Sequence, residues 1–449
     1  MADHFLIQGA LTRAGVTDVR VASGVITAVG PALGAKDGEA VVDARGAVLM
    51  PGFVNTHHHL FQSVLKGVPA GLAVPLMPWL EAVPYTYGPR IDEEALTVAA
   101  TLGLAELLLS GCTTVADHHY LFGASLGYDP APILFAAAES LGMRFVLLRG
   151  GATKTRAFAG PDDKPLPHEP LEAMLRGVQD TVHRFHDPSP SAMRKVVMAP
   201  TTPFYSTTPE ELRELARAAR AMGIGLHSHL SETDDYVRFA AERFGMRPVH
   251  WCAEHEWIGP DVSFAHMVHL DASEIALCGS TRTGIAHCPQ SNGRLGSGIA
   301  PVQALHEAGA VVGIGVDGAA SNEAADMVSE LHAAWLIHRA AKGAGAMDTD
   351  QLVQWATAGG ARLFGLGDVG EIAPGRQADL VLYGLDHPRY AGNHDPVSAP
   401  ITAGGAARLR HVWVAGREVV RDGAIPGFDL PAWLARADAV VRRLRREAA

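Results

Sequence analysis

The chain has 449 residues, 48% hydrophobic and 19% charged, with 48 Gly, 28 Pro and only 4 Cys, so a large core can form without disulfide staples. Disorder, collagen and small secreted scaffolds are excluded. Lys and Arg number 37 against 48 Asp and Glu, a net charge of -11 with no basic stripe, which argues against nucleic acid or an anionic membrane as partner.

The start, MADHFLIQGALTRAG, lacks the basic and long apolar regions of a signal peptide, and no segment offers the roughly 18 uninterrupted apolar residues of a membrane span. Cys112, Cys252, Cys278 and Cys288 form no C-x-x-C pair, as expected of reduced thiols in a cytoplasmic enzyme. Residues 1–50 alternate as Gly-punctuated β segments such as VTDVRVASGVITAVG. The middle of the chain repeats short runs, apolar first and polar last, separated by helical stretches. Eight can be counted: Phe53–His59, Thr113–Tyr120, Arg144–Gly150, Lys195–Thr201, Gly225–Glu232, Val262–Leu270, Gly284–Asn292 and Val311–Asp317. That is the number a closed (β/α)8 TIM barrel of the α/β class requires, and its active site gathers at the polar C-terminal strand ends.

Helix boundaries are readable between the runs. Asp92 and two glutamates open a helix over Ile91–Ser110, closed by Gly111. Thr208-Pro209-Glu210-Glu211 gives an N-cap, Pro at N1 and Glu at N3 for a helix that Gly223 ends. Residues 368–423 return to alternating β segments, and Leu430–Arg446 reads as a surface helix with Arg436, Arg442, Arg443 and Arg445 on a solvated face. The expected organisation is a catalytic barrel over 51–367, flanked by a small β-sandwich built from 1–50 and 368–449 with the closing helix.

There are 22 histidines, so position must select among them. His57 and His59, spaced i, i+2 at the end of the first run, share one side of a strand about 6.6 Å apart along it, near enough to share one metal ion. His227 and His229 repeat that spacing. His229 lies nearer the strand end and Glu232 and is the better ligand, while His227 reads as a lining or structural residue. Asp317 ends an apolar run, where a carboxylate is costly unless it meets a cation or donors; a helix N-cap is its bland alternative. His266 and His287 close the sixth and seventh runs, and each is equally readable as a core histidine. Together His57, His59, His229 and Asp317 can hold one divalent ion with an open position for water, Zn2+ by default and Fe2+ or Mn2+ as alternatives. Glu232 and Asp317 are then placed to move protons.

The segments PGFVNTHHHLFQ (51–62), SGCTTVADH (110–118), HSHLSET (227–233), FAHMVHL (264–270), GIAHCPQSNGRLGSGIAPV (284–302), GVDGAASNE (315–323) and GEIAPGRQADLVLY (370–383) resemble the amidohydrolase superfamily, in its aminohydrolase (deaminase) branch. The resemblance covers nearly the whole chain and comes closest to isoxanthopterin, pterin and 8-oxoguanine deaminases. It implies that His57, His59, His229 and Asp317 are the metal ligands and Glu232 the proton shuttle to a substrate ring nitrogen. It further implies that Asp317 takes a proton from the attacking water, that His266 hydrogen-bonds the attacking oxygen, and that ammonia leaves. Lys195 opens the fourth run and is absent from its end, where the binuclear branch carries a carboxylated lysine, so the resemblance favours one metal. Gln62, Trp79 in LMPWL and Arg149 in LLRGG resemble the pocket side of enzymes acting on oxidised fused heterocycles. An amide and a guanidinium suit the lactam edge and ring carbonyl of a 2-amino-4-oxo heterocycle. The implied partners are a small heterocyclic substrate, water and further copies of the chain in a homo-oligomer. The alternatives are triazine, guanine or cytosine aminohydrolase or chlorohydrolase chemistry on the same scaffold, or a catalytically silent barrel subunit.

Overall fold

The alternating start of the chain forms β1 (His4–Thr12), β2 (Gly15–Ala22), β3 (Val25–Gly30), β4 (Ala40–Asp43) and β5 (Ala47–Pro51). A computed structural model of the protein describes residues 4–154 and 166–448. Each of the eight central runs carries a strand, two of which, β7 and β9, start one residue before the run: β6 (Phe53–His58), β7 (Cys112–His119), β8 (Arg144–Arg149), β9 (Arg194–Met198), β10 (Leu226–Leu230), β11 (Val262–His266), β12 (Gly284–His287) and β13 (Val311–Ile314). These eight close into a barrel in sequential order, all neighbours parallel, with Ile314 of β13 facing Asn55 of β6 at the seam. The expected TIM barrel is therefore present.

Parallel strands covered on both faces are apolar throughout, and only alternation decides which side chain faces the axis. Val146 and Leu148 of β8 cluster with Val54, Ala116, Val197 and Ala199 inside the barrel. Phe145 and Leu147, one residue out of phase, belong to the large core between strands and helices.

The helices begin where the capping residues direct. Asp92 accepts from the amide of Ala95 and starts Glu93–Leu108, two residues inside the expected range at each end, because Asp92 itself is the cap. Thr208 and Glu211 form a reciprocal capping box on Pro209–Ala221, and Asp271 with Glu274 forms another on Ala272–Thr281.

The termini complete a second layer through β14 (Leu380–Gly384), β15 (Leu409–Val414) and β16 (Arg417–Arg421). The sandwich expected from the two ends is one hydrogen-bonded mixed sheet, ordered β16-β15-β14-β5-β1-β2-β3, with β4 alongside β1. Phe5, Ile7, Val21, Leu49, Leu380 and Trp413 from five of its strands gather into a core separate from the barrel's. The antiparallel pair β5–β14 joins the start of the chain to its end, and β5 runs straight into the first barrel strand.

Two buried links fasten this sheet to the barrel. Tyr383 Oη donates to Ser110 O at 2.9 Å beside Gly111, where φ is +93° and a Cβ would lie 2.2 Å from that hydroxyl, so glycine is required. Arg144, 1% exposed, forms a fork with Asp379 (3.0 Å from Nη2, 3.2 Å from Nε) and donates to the carbonyls of Ser191 and Ala192. The closing helix Leu430–Ala448 uses part of its arginine face otherwise than as a solvated surface. Arg436 bonds Glu94 at 2.8 Å and Arg443 bonds Asp92 at 2.7 Å, securing the helix to Glu93–Leu108, while Arg442 and Arg445 remain exposed. No described helix is long and apolar enough to cross a membrane.

Candidate active site and metal centre

Four atoms from distant segments meet at the C-terminal rim of the barrel. His57 comes from β6, His59 from the residue just past it, His229 from β10, and Asp317 from the segment that follows β13. His57 Nε2 and His59 Nε2 lie 3.1 and 3.2 Å from His229 Nε2, and 3.6 and 3.3 Å from Asp317 Oδ1. A tetrahedral ion with bonds of 2.0–2.1 Å separates its ligand atoms by about 3.4 Å, so this spacing fits a divalent ion.

The proton positions point the same way. His59 Nδ1 faces the carbonyl of His118 at 2.7 Å and His229 Nδ1 that of Thr201 at 2.6 Å, and a carbonyl only accepts, so both Nδ1 atoms donate. The Nε2 lone pairs of the two neutral rings then point at each other, a repulsive contact that a shared cation relieves. Burial, followed by the neighbouring imidazoles, pushes His57 and His229 well below the usual histidine range, and burial also lowers His59. His227 orients His57: its Nε2 meets His57 Nδ1 at 2.9 Å and its Nδ1 meets Ser263 Oγ at 2.8 Å, which frees His57 Nε2 for the centre. His58 faces elsewhere, its Nδ1 donating to the carbonyl of Asp317.

Asp317 is held from three sides. Gly318 N donates to Oδ1 at 2.7 Å, and Ser291 and Ser321 donate to Oδ2 at 2.6 and 3.2 Å. Its φ is +63°, and His266 and Ser231, also at strand ends, have φ of +73° and +50°. Left-handed backbone in non-glycine residues is sparse and clusters where side chains must be aimed into a site.

Beside the four atoms lies a cavity of about 480 Å³, lined by His59, Gln62, Trp79, His229, Glu232, His266 and Asp317 among others. That volume suits a small organic ligand. Glu232 is 5% exposed, and burial pushes its carboxyl up to about 7, near the value at which a group both takes and gives protons at neutral pH. Its Oε2 lies 3.6 Å from His266 Nε2, and His266 Nδ1 is 2.9 Å from Asn292 Oδ1. Gln62 is 1% exposed, with Oε1 lacking a hydrogen-bond partner. Trp79 donates from Nε1 to Ala320 O at 3.2 Å and so offers the cavity its ring.

Arg149 is not in this cavity. Strand alternation turns it to the helix side of β8, where it forms a fork with Glu169 and lies 3.8 Å over the Phe122 ring, a correction to its expected role as a substrate contact. His287 also lies outside, with its Nε2 3.0 Å from His338 Nε2. Lys195 sits at the opening end of β9, its Nζ toward Pro188 O at 3.4 Å.

The cavity also has walls that sequence reasoning did not single out. Tyr205, Tyr236 and Arg238 line its outer part, the latter two from the helix Asp234–Phe244. Tyr120 lies 5.1 Å from the His59 ring. Only Tyr120 carried a signal, since it closes the second polar-ended run.

A closed parallel barrel with three imidazoles and a carboxylate converging at its C-terminal rim defines a metal-assisted barrel enzyme. The chain matches the amidohydrolase family model over residues 48–419 and belongs to that family. It is 50% identical to an isoxanthopterin deaminase from an unknown prokaryotic organism, over 96% of this chain and 92% of that one. Against the 8-oxoguanine deaminase of Pseudomonas aeruginosa the identity is 42%, over 90% and 88% of the two chains. Its fold is similar to the crystal structure of the atrazine chlorohydrolase of Arthrobacter aurescens TC1 complexed with zinc, with a TM-score of 0.90 and 28% identity, covering 97% of this chain and 100% of that one.

Proposed function

We propose that the protein is a hydrolytic deaminase that removes an exocyclic amino group, as ammonia, from a fused oxo-amino heterocycle of the isoxanthopterin, pterin or 8-oxoguanine type. One observation carries the reading: His57, His59 and His229 Nε2 and Asp317 Oδ1 meet around one point, with buried Glu232 on the cavity side of it. The similarity to isoxanthopterin and 8-oxoguanine deaminases supports the substrate class. The donor set, and the zinc in the similar chlorohydrolase, support zinc as the ion.

When bound by these four residues, the ion supplies Lewis acidity that brings the pKa of a water from 15.7 to about 7. Asp317 takes one proton of the attacking water. Glu232 carries the other to the ring nitrogen next to the C–NH2 carbon, which lets the carbon accept the oxygen as the ring double bond opens. His266, held through Nδ1 by Asn292, hydrogen-bonds that oxygen. The C–N bond then breaks as the amine takes the proton held by Asp317 and leaves as ammonia, and the carbon keeps its oxygen as a lactam carbonyl. Gln62 pairs with the lactam edge of the substrate and the Trp79 ring walls its face. Arg149 has no part in this scheme.

The catalytic unit is residues 51–367, with 1–50 and 368–449 as its flanking unit, in a cytoplasmic homo-oligomer. The test is product analysis with zinc-reconstituted protein on isoxanthopterin, pterin, 8-oxoguanine, guanine, cytosine and a chlorotriazine. Ammonia released fastest from the fused oxo-amino heterocycles supports the proposal, chloride release from the triazine supports a chlorohydrolase instead, and inactivity on the whole panel refutes both.

A further inference from the structure

The segment His287–Asn292, HCPQSN, runs from the end of β12 through the first turn of the short helix Pro289–Arg294. Two adjacent residues of that turn grip the centre. Ser291 Oγ donates to Asp317 Oδ2 at 2.6 Å, and Asn292 Oδ1 meets His266 Nδ1 at 2.9 Å. Because they are neighbours on one turn, any shift of the turn disturbs both bonds together, and such bonds weaken steeply beyond about 3.2 Å.

The turn is fixed from outside by the helix Met327–Lys342. Glu330 on that helix is fully buried and receives Gln290 at both oxygens: the backbone N–H at 2.8 Å on Oε1 and the side-chain amide at 2.6 Å on Oε2. Two turns further on, His338 Nε2 lies 3.0 Å from His287 Nε2, so the helix grips the segment at a second point. Glu330 does not line the cavity and belongs to none of the ion pairs of the described residues. A carboxyl buried without a cation is costly to keep, and packing alone is served better by an apolar side chain.

We infer that Glu330 is a positioning residue whose two-oxygen hold on Gln290 keeps Ser291 on Asp317 and Asn292 on His266, so that it sets both metal affinity and the rate at saturating metal. The inference rests on the metal-site reading above. Partners hydrogen-bonded directly to a metal ligand, as Ser291 is to Asp317, typically change metal affinity or activity about 10–100-fold when removed, which is the upper bound for Glu330 acting through them.

The experiment partitions zinc between the full-length protein and a chelator of known affinity, for wild type, Glu330→Gln, Gln290→Ala, Ser291→Ala and the double variant Glu330→Gln/Ser291→Ala. It then measures kcat and KM at saturating zinc. Glu330→Gln keeps the volume but turns an NH2 toward one of Gln290's donors, so it weakens zinc binding by up to about 10-fold and lowers kcat while KM holds. Gln290→Ala, at a half-buried position, keeps the test open should Glu330→Gln fail to fold, and moves zinc affinity the same way by less. Since Glu330 acts on Asp317 through Ser291, the double variant binds zinc no more weakly than Ser291→Ala alone. Unchanged zinc affinity and kcat in both Glu330→Gln and Gln290→Ala, with only a lower melting temperature, overturns this inference alone. A wild-type chain that takes up no divalent ion overturns the metal-site reading and this inference with it.

Discussion

Glu232→Gln separates proton transfer from metal binding at this site. The substitution keeps the shape of a side chain that is 5% exposed and 3.6 Å from His266 Nε2, and it leaves His57, His59, His229 and Asp317 untouched. Zinc content and affinity therefore stay at the wild-type level. What disappears is a group that burial brings to about 7 and that can accept and return a proton in each turnover. Positioned acid–base groups contribute 10²–10⁴-fold, so kcat falls by about two to four decades, about 2.7–5.4 kcal/mol of barrier at 1.36 kcal/mol per decade. The loss falls on kcat more than KM, because the amide still fills the wall of the cavity. The assay is ammonia release under substrate saturation, with zinc measured on the same sample. A variant with full zinc and kcat within about threefold of wild type refutes the shuttle role, and one that has lost its zinc makes Glu232 a ligand instead.

Arg149→Met breaks the fork with Glu169 and the stacking on Phe122, so the melting temperature falls while KM stays within about twofold. A large rise in KM with unchanged stability would return Arg149 to the substrate. Arg144→Met leaves Asp379 buried without its cation and costs about 3–5 kcal/mol, read as a lower denaturation midpoint. Replacing Asp379 by Leu as well recovers part of that loss, and a single variant as stable as wild type excludes the fork as a fastening between sheet and barrel. Stripping divalent ions with a chelator lowers the melting temperature, and zinc restores it, because a ligand at a thousand times its Kd stabilises by about 4.1 kcal/mol. Identical melting curves with and without zinc contradict binding at the four-donor cluster.

The sequence by itself determined the barrel, the pairing of the two chain ends and the helix starts. Asp92, Thr208 and Glu211 act within a few residues of where they stand, and eight apolar runs with polar ends state their number without reference to neighbours. His57, His59, His229 and Asp317 were legible as candidates for the same reason, since polar residues at the ends of apolar strands need a local explanation. Tertiary structure alone decided the rest. Arg149 was misread because RFVLLR is apolar on both faces and carries no alternation; barrel closure chose which face met the cavity. Ser291 on Asp317, Asn292 on His266 and Glu330 on Gln290 join residues 26 to 40 apart in sequence. Such contacts have no period to read, because side-chain reach across strands and helices depends on how whole elements pack. Tyr236 and Arg238 look like any residues on a helix face, and only the packing of the helix Asp234–Phe244 against the rim turns them toward the cavity.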